Sequence, residues 1–241
     1  MRTENSILVV SGLAFEAQIA LNIGGTKACC GQVPVIADIV ASALTTKWSG
    51  ILSFGLAGGL DPRLRAGSIV IATDIIGKNV HFRTDPEWRA GLLRLFPGAV
   101  QSALLSGDRV YVDPDGKLHA FRSSGAAVAD MESHVAASYA AEKGIPFAAL
   151  RIVADPAHRF VPQSALAGVC MDGRIDPLAV LRGLAHRPRE ALAIAMLACD
   201  VWIARAALIK AQRQLGKNLG IPPLGALLSA DAKSDLQVRL A

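Results

Sequence analysis

The sequence predicts an α/β fold: one domain with a mixed, twisted central β-sheet flanked by helices, followed by an α-helical C-terminal extension. Short apolar runs typical of strands alternate with helical patterns up to Asp155, and only helical patterns follow. Hydrophobic residues make up 52% of the 241 residues, enough for one large core. We therefore assign residues 1–159 to the α/β domain and residues 160–241 to the extension packed on it.

Residues 128–155 form the stretch around which the chain is organised, a strand, a helix and a second strand. The helix spans residues 133–143 and ends at Gly144, with Pro146 just beyond it. A buried strand is predicted over residues 147–153, and other strands at residues 7–10, 51–54, 68–77 and 103–106. Further helices are predicted up to Asn22 and over residues 32–47 and 86–96.

Acidic residues follow both strands of that central stretch. Glu132 comes after the first strand, Asp155 ends the second, and Arg151 lies within it. Because ligands bind at the carboxyl ends of strands in open α/β sheets, two adjacent strands would present these side chains to one crevice. The alternative is that the acids at Asp130 and Glu132 only begin a helix, where negative charge suits the helix dipole.

A glycine-rich segment follows the strand at residues 51–54. Gly55, Leu56, Ala57 and Gly58 are predicted to lie in a loop in which glycine allows close backbone approach to a ligand. The exposed N–H groups of such a loop bind an anion or a base. Asp61, Pro62 and another strand come directly afterwards.

The Met131-Glu132 pair, the Arg-Ile-Val-Ala-Asp motif ending at Asp155 and the glycine segment together resemble the nucleoside phosphorylase and nucleosidase superfamily. The resemblance implies that Glu132 binds the ribose hydroxyls and that Met131 packs under the sugar. It also implies that Asp155 protonates or hydrogen-bonds N7 of a purine. Such groups suit glycosidic cleavage, which develops positive charge on the sugar and negative charge on the base.

The same resemblance implies roles for other residues. Arg151 would anchor an anion or the nucleophile, and residues 55–59 would line the nucleophile and base pocket. Leu56 stands where many members have a Ser or Thr that contacts phosphate or water. This position therefore does not indicate whether phosphate or water is the nucleophile. Glu16 would help to activate water or hold a sugar hydroxyl; the alternative is an ordinary exposed acid on a helix.

A Ser-Gly-Asp segment at residues 106–108 also resembles the family, in which the residues that follow contact the base. Val110 and Tyr111 would then flank the purine, with core packing beside a turn as the alternative. No metal or organic cofactor is implied by the resemblance. A hydrolytic or phosphorolytic enzyme of this kind needs only its nucleoside and water or inorganic phosphate.

Charge and cysteine content suggest where the protein acts. Residues 160–241 contain 10 Lys/Arg and 6 Asp/Glu, a net charge of +4 out of +5 for the chain. This excess favours an anionic membrane surface or nucleic acid, or is a solvated helix face. We expect no nucleic-acid partner, and cytoplasmic location with peripheral contact to the inner membrane face as an option. The four cysteines are expected to be reduced and mostly buried, and the N-terminus shows no signal-peptide pattern.

The extension has a recognisable organisation of its own. Asp176 is a good N-cap with Pro177 at the first helical position. The helix from Pro188 to about Leu215 is apolar nearly all round, so it must pack in a core, a subunit interface or lipid. Asp200 and Arg205 make it a poor transmembrane span. We predict a homo-oligomer from this apolar surface.

The segment 170–188 and the apolar helix resemble the hopanoid-associated phosphorylases, which release adenine from the lipid nucleoside adenosylhopane. The implied function is phosphorolysis of adenosylhopane, with Met196, Trp202 and Ile203 lining a groove for the lipid. One alternative is a hydrolase of the methylthioadenosine/S-adenosylhomocysteine nucleosidase type, which uses water. Another is a non-catalytic, lipid-associated binding protein.

Overall fold

Eight β-strands form one mixed sheet in the computed structural model. The structure describes residues 7–23, 26–42, 48–216 and 219–220, with the backbone alone for residues 39–42. The predicted turn at Gly24-Gly25, the end of the helix expected to reach residue 47, and the tail beyond Gly220 lie outside the described residues. The predicted boundary at residue 159 stays a prediction.

The strands are β1 Ile7–Ser11, β2 Thr26–Cys30, β3 Gly50–Gly59, β4 Ile69–Gly77, β5 Val80–Arg83, β6 Val100–Ser106, β7 Val128–Asp130 and β8 Phe147–Asp155. The helices are α1 Ala14–Leu21, α2 Val33–Ser42, α3 Pro86–Leu95, α4 Pro114–Ser124, α5 Ser133–Lys143, α6 Gln163–Leu166, α7 Pro177–His186 and α8 Ala191–Leu215. A 3₁₀ turn, Pro188–Glu190, joins α7 to α8.

The predicted mixed α/β sheet is confirmed, and part of it closes on itself. The strand β3 pairs in parallel with β8, and β8 pairs antiparallel with β4. Parallel pairs then link β4 to β6 and β6 to β7, and β7 returns antiparallel to the end of β3. The strands β1 and β2 extend the sheet from β3, and β5 extends it from β4. The strand β3 therefore lies at the junction of the whole sheet.

Several elements differ from the sequence prediction, and the strand β2 and the short helix α6 were not predicted. The glycine segment is not a loop, since β3 continues through it to Gly59 and pairs with β8. Residues 80–83, for which no strand was predicted, form β5, where His81 contacts Asp74 at 3.0 Å. The helix α4 was not predicted. Its signals are present, because Asp113 caps its start and Gly125, at φ 69°, ends it.

Alternate side chains of β3 enter two different hydrophobic clusters, as the two-residue period of a strand requires. Leu52 and Phe54 pack with α3 and α8 on one face. Ile51 and Ala57 pack with α5 on the other. Because both faces of β3 are covered, the polar groups that reach its carboxyl half are removed from bulk water.

The helix α8 has two halves with different surroundings. Ala204, Leu208, Ala211 and Leu215 are buried against the sheet, whereas Leu192 is 72% exposed and Trp202 71% exposed. By length and composition alone, Pro188–Leu215 is able to cross a membrane, contrary to our expectation from its charges; its most apolar stretch is 17% buried. Because the second half of α8 packs on the sheet, the structure favours a helix that is part of the folded protein over one that crosses a membrane.

The four cysteines are free thiols, but the prediction that most are buried is wrong. Cys29 is buried, Cys30 and Cys170 are half-buried, and Cys199 is exposed on α8. Burial raises the pKa of the Cys29 thiol to about 12, so this thiol stays protonated and unreactive at neutral pH.

Candidate active site

Two glycines of β3 bring charged side chains from distant parts of the chain to one strand. Gly55 pairs with Arg151 of β8, and after a register shift Gly58 pairs with Asp155. A β-carbon on Gly55 would lie 2.6 Å from Oε2 of Glu16 and 2.8 Å from Nη1 of Arg151. A β-carbon on Gly58 would lie 3.3 Å from Oδ2 of Asp155. Glycine is thus needed at Gly55 to let the charged groups approach the backbone.

The predicted route by which the acids meet is wrong in detail. The strands β7 and β8 are not neighbours, because β3 lies between them, and they run in opposite directions. Glu132 reaches the site because β7 runs antiparallel to the end of β3 and Glu132 lies between β7 and α5. Glu132 and Asp155 therefore lie beside successive parts of β3. They do not follow the carboxyl ends of two adjacent strands.

Glu16 is buried, with 2% of its surface exposed, so the alternative of an exposed helix acid is wrong. Its Oε2 accepts hydrogen bonds from the backbone N–H of Gly12 at 3.0 Å and of Leu13 at 2.9 Å. Its Oε1 accepts from the N–H of Leu56 at 2.8 Å. Burial raises the pKa of Glu16, while Arg151 and these three N–H groups counteract the rise.

The guanidinium of Arg151 is fully buried among acids and hydroxyls. Its Nη2 lies 2.6 Å from Oδ2 of Asp130 and donates to the hydroxyl of Ser53 at 2.6 Å and of Ser133 at 3.1 Å. Oε2 of Glu132 is 4.0 Å from the same nitrogen. Within the described part of the chain, Nε and Nη1 have no hydrogen-bond partner. Both nitrogens are buried, so the site contains two unsatisfied donors beside its acids.

Glu132 occupies the N-cap position of α5 but makes no capping bond with its side chain. Asp130 serves the helix start instead, since its carboxylate accepts from the N–H of Ser133 at 3.1 Å. The alternative that Glu132 only begins a helix is thus not what the geometry shows. A β-carbon on Gly12 would lie 2.8 Å from Oε1 of Glu132, so this carboxylate rests against the loop that also holds Glu16.

The cluster at Gly55 has more acids than bases. Glu16, Asp130 and Glu132 surround the single cation Arg151. Burial, and then the charge of Asp130, raise the pKa of Glu132 to about 8, although Arg151 lowers it. Because buried like charges cannot all ionise, this cluster retains a proton at neutral pH.

Asp155, at Gly58, has a partner that the sequence did not reveal. Lys117 of α4 is fully buried, and its Nζ donates to Oδ2 of Asp155 at 2.6 Å. The same ammonium lies within 3.2 Å of the carbonyl oxygens of Asp155, Pro156 and Arg159. Burial raises the pKa of Asp155, and Lys117 counteracts that rise. Nothing in the sequence of the short amphipathic helix α4 indicated that Lys117 would contact Asp155.

The remaining predicted site residues lie around these two clusters. Val110 is 39% exposed, and Tyr111 is half-buried with the Arg109 guanidinium 5.0 Å from its ring centre. Met131 is half-buried beside Glu132. The side chain of Leu56 points into the core, so only its N–H group serves the site, through Glu16.

Segments after β8 close the site on two sides. The N–H of Val161 donates to the carbonyl of Val112 at 2.7 Å, next to the predicted base-binding residues. On the other side, the N–H of Ala14 donates to the carbonyl of Gly173 at 2.8 Å. A β-carbon on Gly173 would lie 2.5 Å from the carbonyl of Gly12, so the residues that precede α7 lie against the loop that carries Glu16.

Solved structures that share the fold include 5'-methylthioadenosine/S-adenosylhomocysteine nucleosidases and a futalosine hydrolase. The 5'-methylthioadenosine/S-adenosylhomocysteine nucleosidase from Neisseria meningitidis, with methylthio-immucillin-A, is 16% identical; the match covers 86% of this chain and 97% of that one, with a TM-score of 0.60. Futalosine hydrolase of Helicobacter pylori is 15% identical over 66% of this chain and 88% of its own, with a TM-score of 0.58. At such identities the likeness shows the fold.

No curated protein matches the sequence. The family described as the phosphorylase superfamily matches residues 24–168, more than half of the chain. That match includes β3, Glu132, Lys117 and Asp155, but not Glu16. The chain belongs to the phosphorylase superfamily and is an enzyme of the nucleoside phosphorylase and nucleosidase class.

Proposed function

We propose that this enzyme cleaves the N-glycosidic bond of a purine nucleoside, binding the sugar at Gly55 and the base at Gly58. The observation that supports this proposal is the pair of charged clusters on β3. They lie three residues apart, which is about 10 Å along the strand. One cluster contains Glu132 and Arg151, and the other contains Asp155. That spacing suits a ligand with a polar sugar at one end and a heterocyclic base at the other.

The proposed roles follow from where charge develops. Glu132 binds the ribose hydroxyls and, with Asp130 and Glu16 nearby, stabilises the oxocarbenium-like sugar. Met131 lies under the sugar, and Val110 and Tyr111 flank the base. Asp155 donates a proton to the purine as it leaves, because its buried carboxyl holds a proton more readily than an exposed one.

The charge of the cluster at Gly55 favours water over phosphate as the nucleophile. Three acids face one guanidinium there, so an entering phosphate dianion would be repelled. Water meets no such penalty. Glu16 accepts a proton from it, and Nη1 of Arg151 is a free donor close to the same point above Gly55. The phosphorolysis implied by the resemblance is the alternative, with inorganic phosphate as co-substrate.

The 5' substituent is proposed to be large and apolar, with adenosylhopane as the lipid nucleoside to test. The segment against the loop that holds Glu16 leads into α7 and carries exposed apolar side chains. They are Met171, Ile175, Leu178 and Leu181, each about half exposed or more. Covering apolar surface contributes roughly 25 cal/mol per Å². A polycyclic lipid extending from the sugar site would meet this surface.

Arg159 pairs with Asp200 at 2.5 Å, which places the middle of α8 next to the segment after β8. Met196 is exposed in the part of α8 that precedes this contact, and Trp202 and Ile203 are exposed just after it. Arg182, Arg187 and Arg189 lie nearby in the chain and are exposed. This combination supports peripheral contact with an anionic membrane by a cytoplasmic enzyme. Burial in a homo-oligomer interface is the other use of this surface.

The test is adenine release by the purified protein from methylthioadenosine and from adenosylhopane in detergent micelles, with phosphate varied. Release that does not depend on phosphate, with the 5'-substituted ribose carrying a free anomeric hydroxyl as the sugar product, supports hydrolysis. Release that requires phosphate and forms a ribose 1-phosphate product would establish phosphorolysis. No base release from any purine nucleoside would contradict the proposal and leave a binding protein. Asp74→Asn is the matched control, because this acid of β4 pairs with His81 and is a member of neither cluster.

Removing the chain after Pro188 cannot test the lipid surface, because Ala204, Leu208 and Ala211 belong to the core. Point changes on the exposed half are the better test. Leu178→Gln with Leu181→Gln should reduce activity on adenosylhopane and leave activity on methylthioadenosine unchanged. Equal loss on both substrates would remove these residues from the lipid site.

A further inference from the structure

Lys117 is one of the largest fully buried side chains of the protein, and it carries a charge. Its three N–H donors face four acceptors, one carboxylate oxygen and three backbone carbonyls. A buried ammonium is costly unless it is paired and hydrogen-bonded, and here it is both. Every donor of Lys117 is therefore committed to residues 155–159.

The carboxylate that Lys117 contacts has two oxygens in different surroundings. Oδ2 of Asp155 receives the ammonium at 2.6 Å. The side chain of Asp155 keeps 16% of its surface exposed, whereas that of Lys117 has none. The ammonium of Lys117 contacts Oδ2 and not Oδ1, and the backbone N–H of Asp155 also lowers the pKa of this carboxyl. The two oxygens are thus unequal before any substrate arrives.

We propose that Lys117 is a positioning residue that binds Oδ2 of Asp155 and leaves Oδ1 as the oxygen from which a proton reaches the purine. The inference rests on the proposed glycosidic cleavage and adds a residue to it. Lys117 contacts no substrate atom in this account and acts through Asp155.

When the glycosidic C–N bond breaks, its electron pair goes to the purine. The O–H bond at Oδ1 of Asp155 breaks, and an N–H bond forms at N7. Asp155 becomes a carboxylate, and the ammonium of Lys117 keeps its own protons and compensates the new negative charge. A nucleophile takes the sugar cation on the side of Gly55.

Three charged groups face Asp155 or lie just beyond it. Lys117 approaches from α4, Asp200 approaches from α8, and Arg159 neutralises Asp200. Burial raises the pKa of Asp155, and Lys117 works against that rise. Without the ammonium the pKa rises further. The pH above which Asp155 loses its proton, and with it activity, then moves upward.

The experiment compares Lys117→Met with wild type in kcat, KM and pH profile, using the best soluble nucleoside. We expect kcat at the optimum to fall about tenfold or more, because the carboxylate formed in the transition state lacks its counter-charge. The basic limb of the profile should rise by about one pH unit or more. KM should change less than about threefold. Lys143→Met, in an exposed lysine, is the matched control and should match wild type.

The same substitution in an Asp155→Asn background separates this role from a purely structural one. If Lys117 acts through Asp155, Lys117→Met should change kcat in that background by no more than about twofold. Independent, multiplicative effects of the two substitutions would overturn the proposal. If Lys117→Met does not fold, Lys117→Gln replaces it, because glutamine retains a hydrogen-bond donor without the charge. The basic limb of its pH–activity profile should then move upward, and an unshifted limb would overturn the proposal.

A readout without turnover is the pKa of Asp155 itself, followed by ¹³C NMR of labelled aspartate carboxyls. The pKa should be higher in Lys117→Gln than in wild type. An unchanged pKa and an unchanged basic limb would overturn the proposal even if wild type releases a purine. A wild-type protein that releases no base but shows the pKa shift would contradict the proposed function and retain the ion pair as an electrostatic fact.

Discussion

The two charged clusters on β3 differ in the balance of their charges. At Gly55, Arg151 is shared by Asp130 and Glu132, with Glu16 close by, so negative charge is in excess. At Gly58, one ammonium meets one carboxylate. Both clusters are buried, but only the first must hold an extra proton to relieve repulsion between like charges.

Under the proposed function, this difference suits the clusters at Gly55 and Gly58 to different tasks. An acid-rich cluster stabilises positive charge, which is what a sugar develops as its glycosidic bond breaks. A balanced pair tolerates the loss of a proton from its acid, which is what donation to a leaving base requires. Substitutions at the two clusters test this contrast.

Asp155→Asn should have the largest effect, lowering kcat by about 10²–10⁴-fold, because an amide cannot donate the proton that a carboxylic acid donates. Steady-state kinetics with an adenine nucleoside measure the loss, and Asp74→Asn is the control. Near wild-type turnover in Asp155→Asn would show that Asp155 is not the proton donor.

Gly55→Ala should come next, at about 10²-fold, since displacing groups by about 1 Å has such effects on rate. Its β-carbon would lie 2.6 Å from Glu16 and 2.8 Å from Arg151, so both must move. Gly58→Ala should cost less, because its β-carbon meets Asp155 at 3.3 Å. Gly98→Ala has nothing within 4 Å and is the control. The reverse ranking of the first two would contradict the geometry.

Glu132→Gln should raise thermal stability at high pH. The folded-state pKa of Glu132 is about 8, above the usual 4.5, so the native protein binds its proton more tightly than the unfolded chain. Its contribution is fully present below about pH 4.5 and is lost as pH rises towards 8. Calorimetry at pH 6 and pH 9 should show Tm of wild type falling more than Tm of the variant. Equal falls would mean that Glu132 is not the group that holds the proton.

Asp61 provides the opposite sign in the same experiment. Its hydrogen bonds from Arg63 hold the pKa of this carboxyl below its usual range. That contribution is present above the unfolded-state pKa and is lost as pH falls, so Asp61→Asn should reduce the loss of stability in acid. It should leave the fall between pH 6 and pH 9 unchanged.

The smallest effect is expected on the exposed half of α8. Leu192→Gln should change the free energy of unfolding by no more than about 0.5 kcal/mol, because this side chain is 72% exposed. Leu208→Ala, in the same helix but fully buried, should cost about 2–5 kcal/mol. Chemical denaturation measures both. A large loss in Leu192→Gln would mean that this half of the helix is covered in solution, as in the predicted oligomer.

Much of the secondary structure was predictable because it depends on local patterns. The period of apolar residues and a glycine stop give α5 the same bounds in the sequence prediction and in the structure. Asp176 caps α7 as predicted, since its carboxylate accepts from the N–H of Leu178 at 2.9 Å and of Ala179 at 3.2 Å. Capping and periodicity involve neighbours within a few residues, so the sequence contains their whole cause.

Motif spacing also identified Glu132, Arg151 and Asp155, and the structure brings each of them to β3. Their surroundings were not predictable in the same way. Lys117 and Asp155 are 38 residues apart, and Arg151 and Ser53 are 98 apart. Nothing in the sequence near Lys117 shows whether its ammonium faces water or a buried carboxylate.

Local sequence patterns thus account for most of the strands and helices, although not for α4, β5 or the second half of β3, and they show which acids follow the strands. The tertiary structure decided that β3 separates β7 from β8 and that Gly55 and Gly58 admit charged groups. It also decided that Glu16 is buried and that Lys117 binds Asp155. The physical reason is that a side chain's charge state and partners depend on which distant backbone segments exclude water from it, and that exclusion exists only after the sheet has closed.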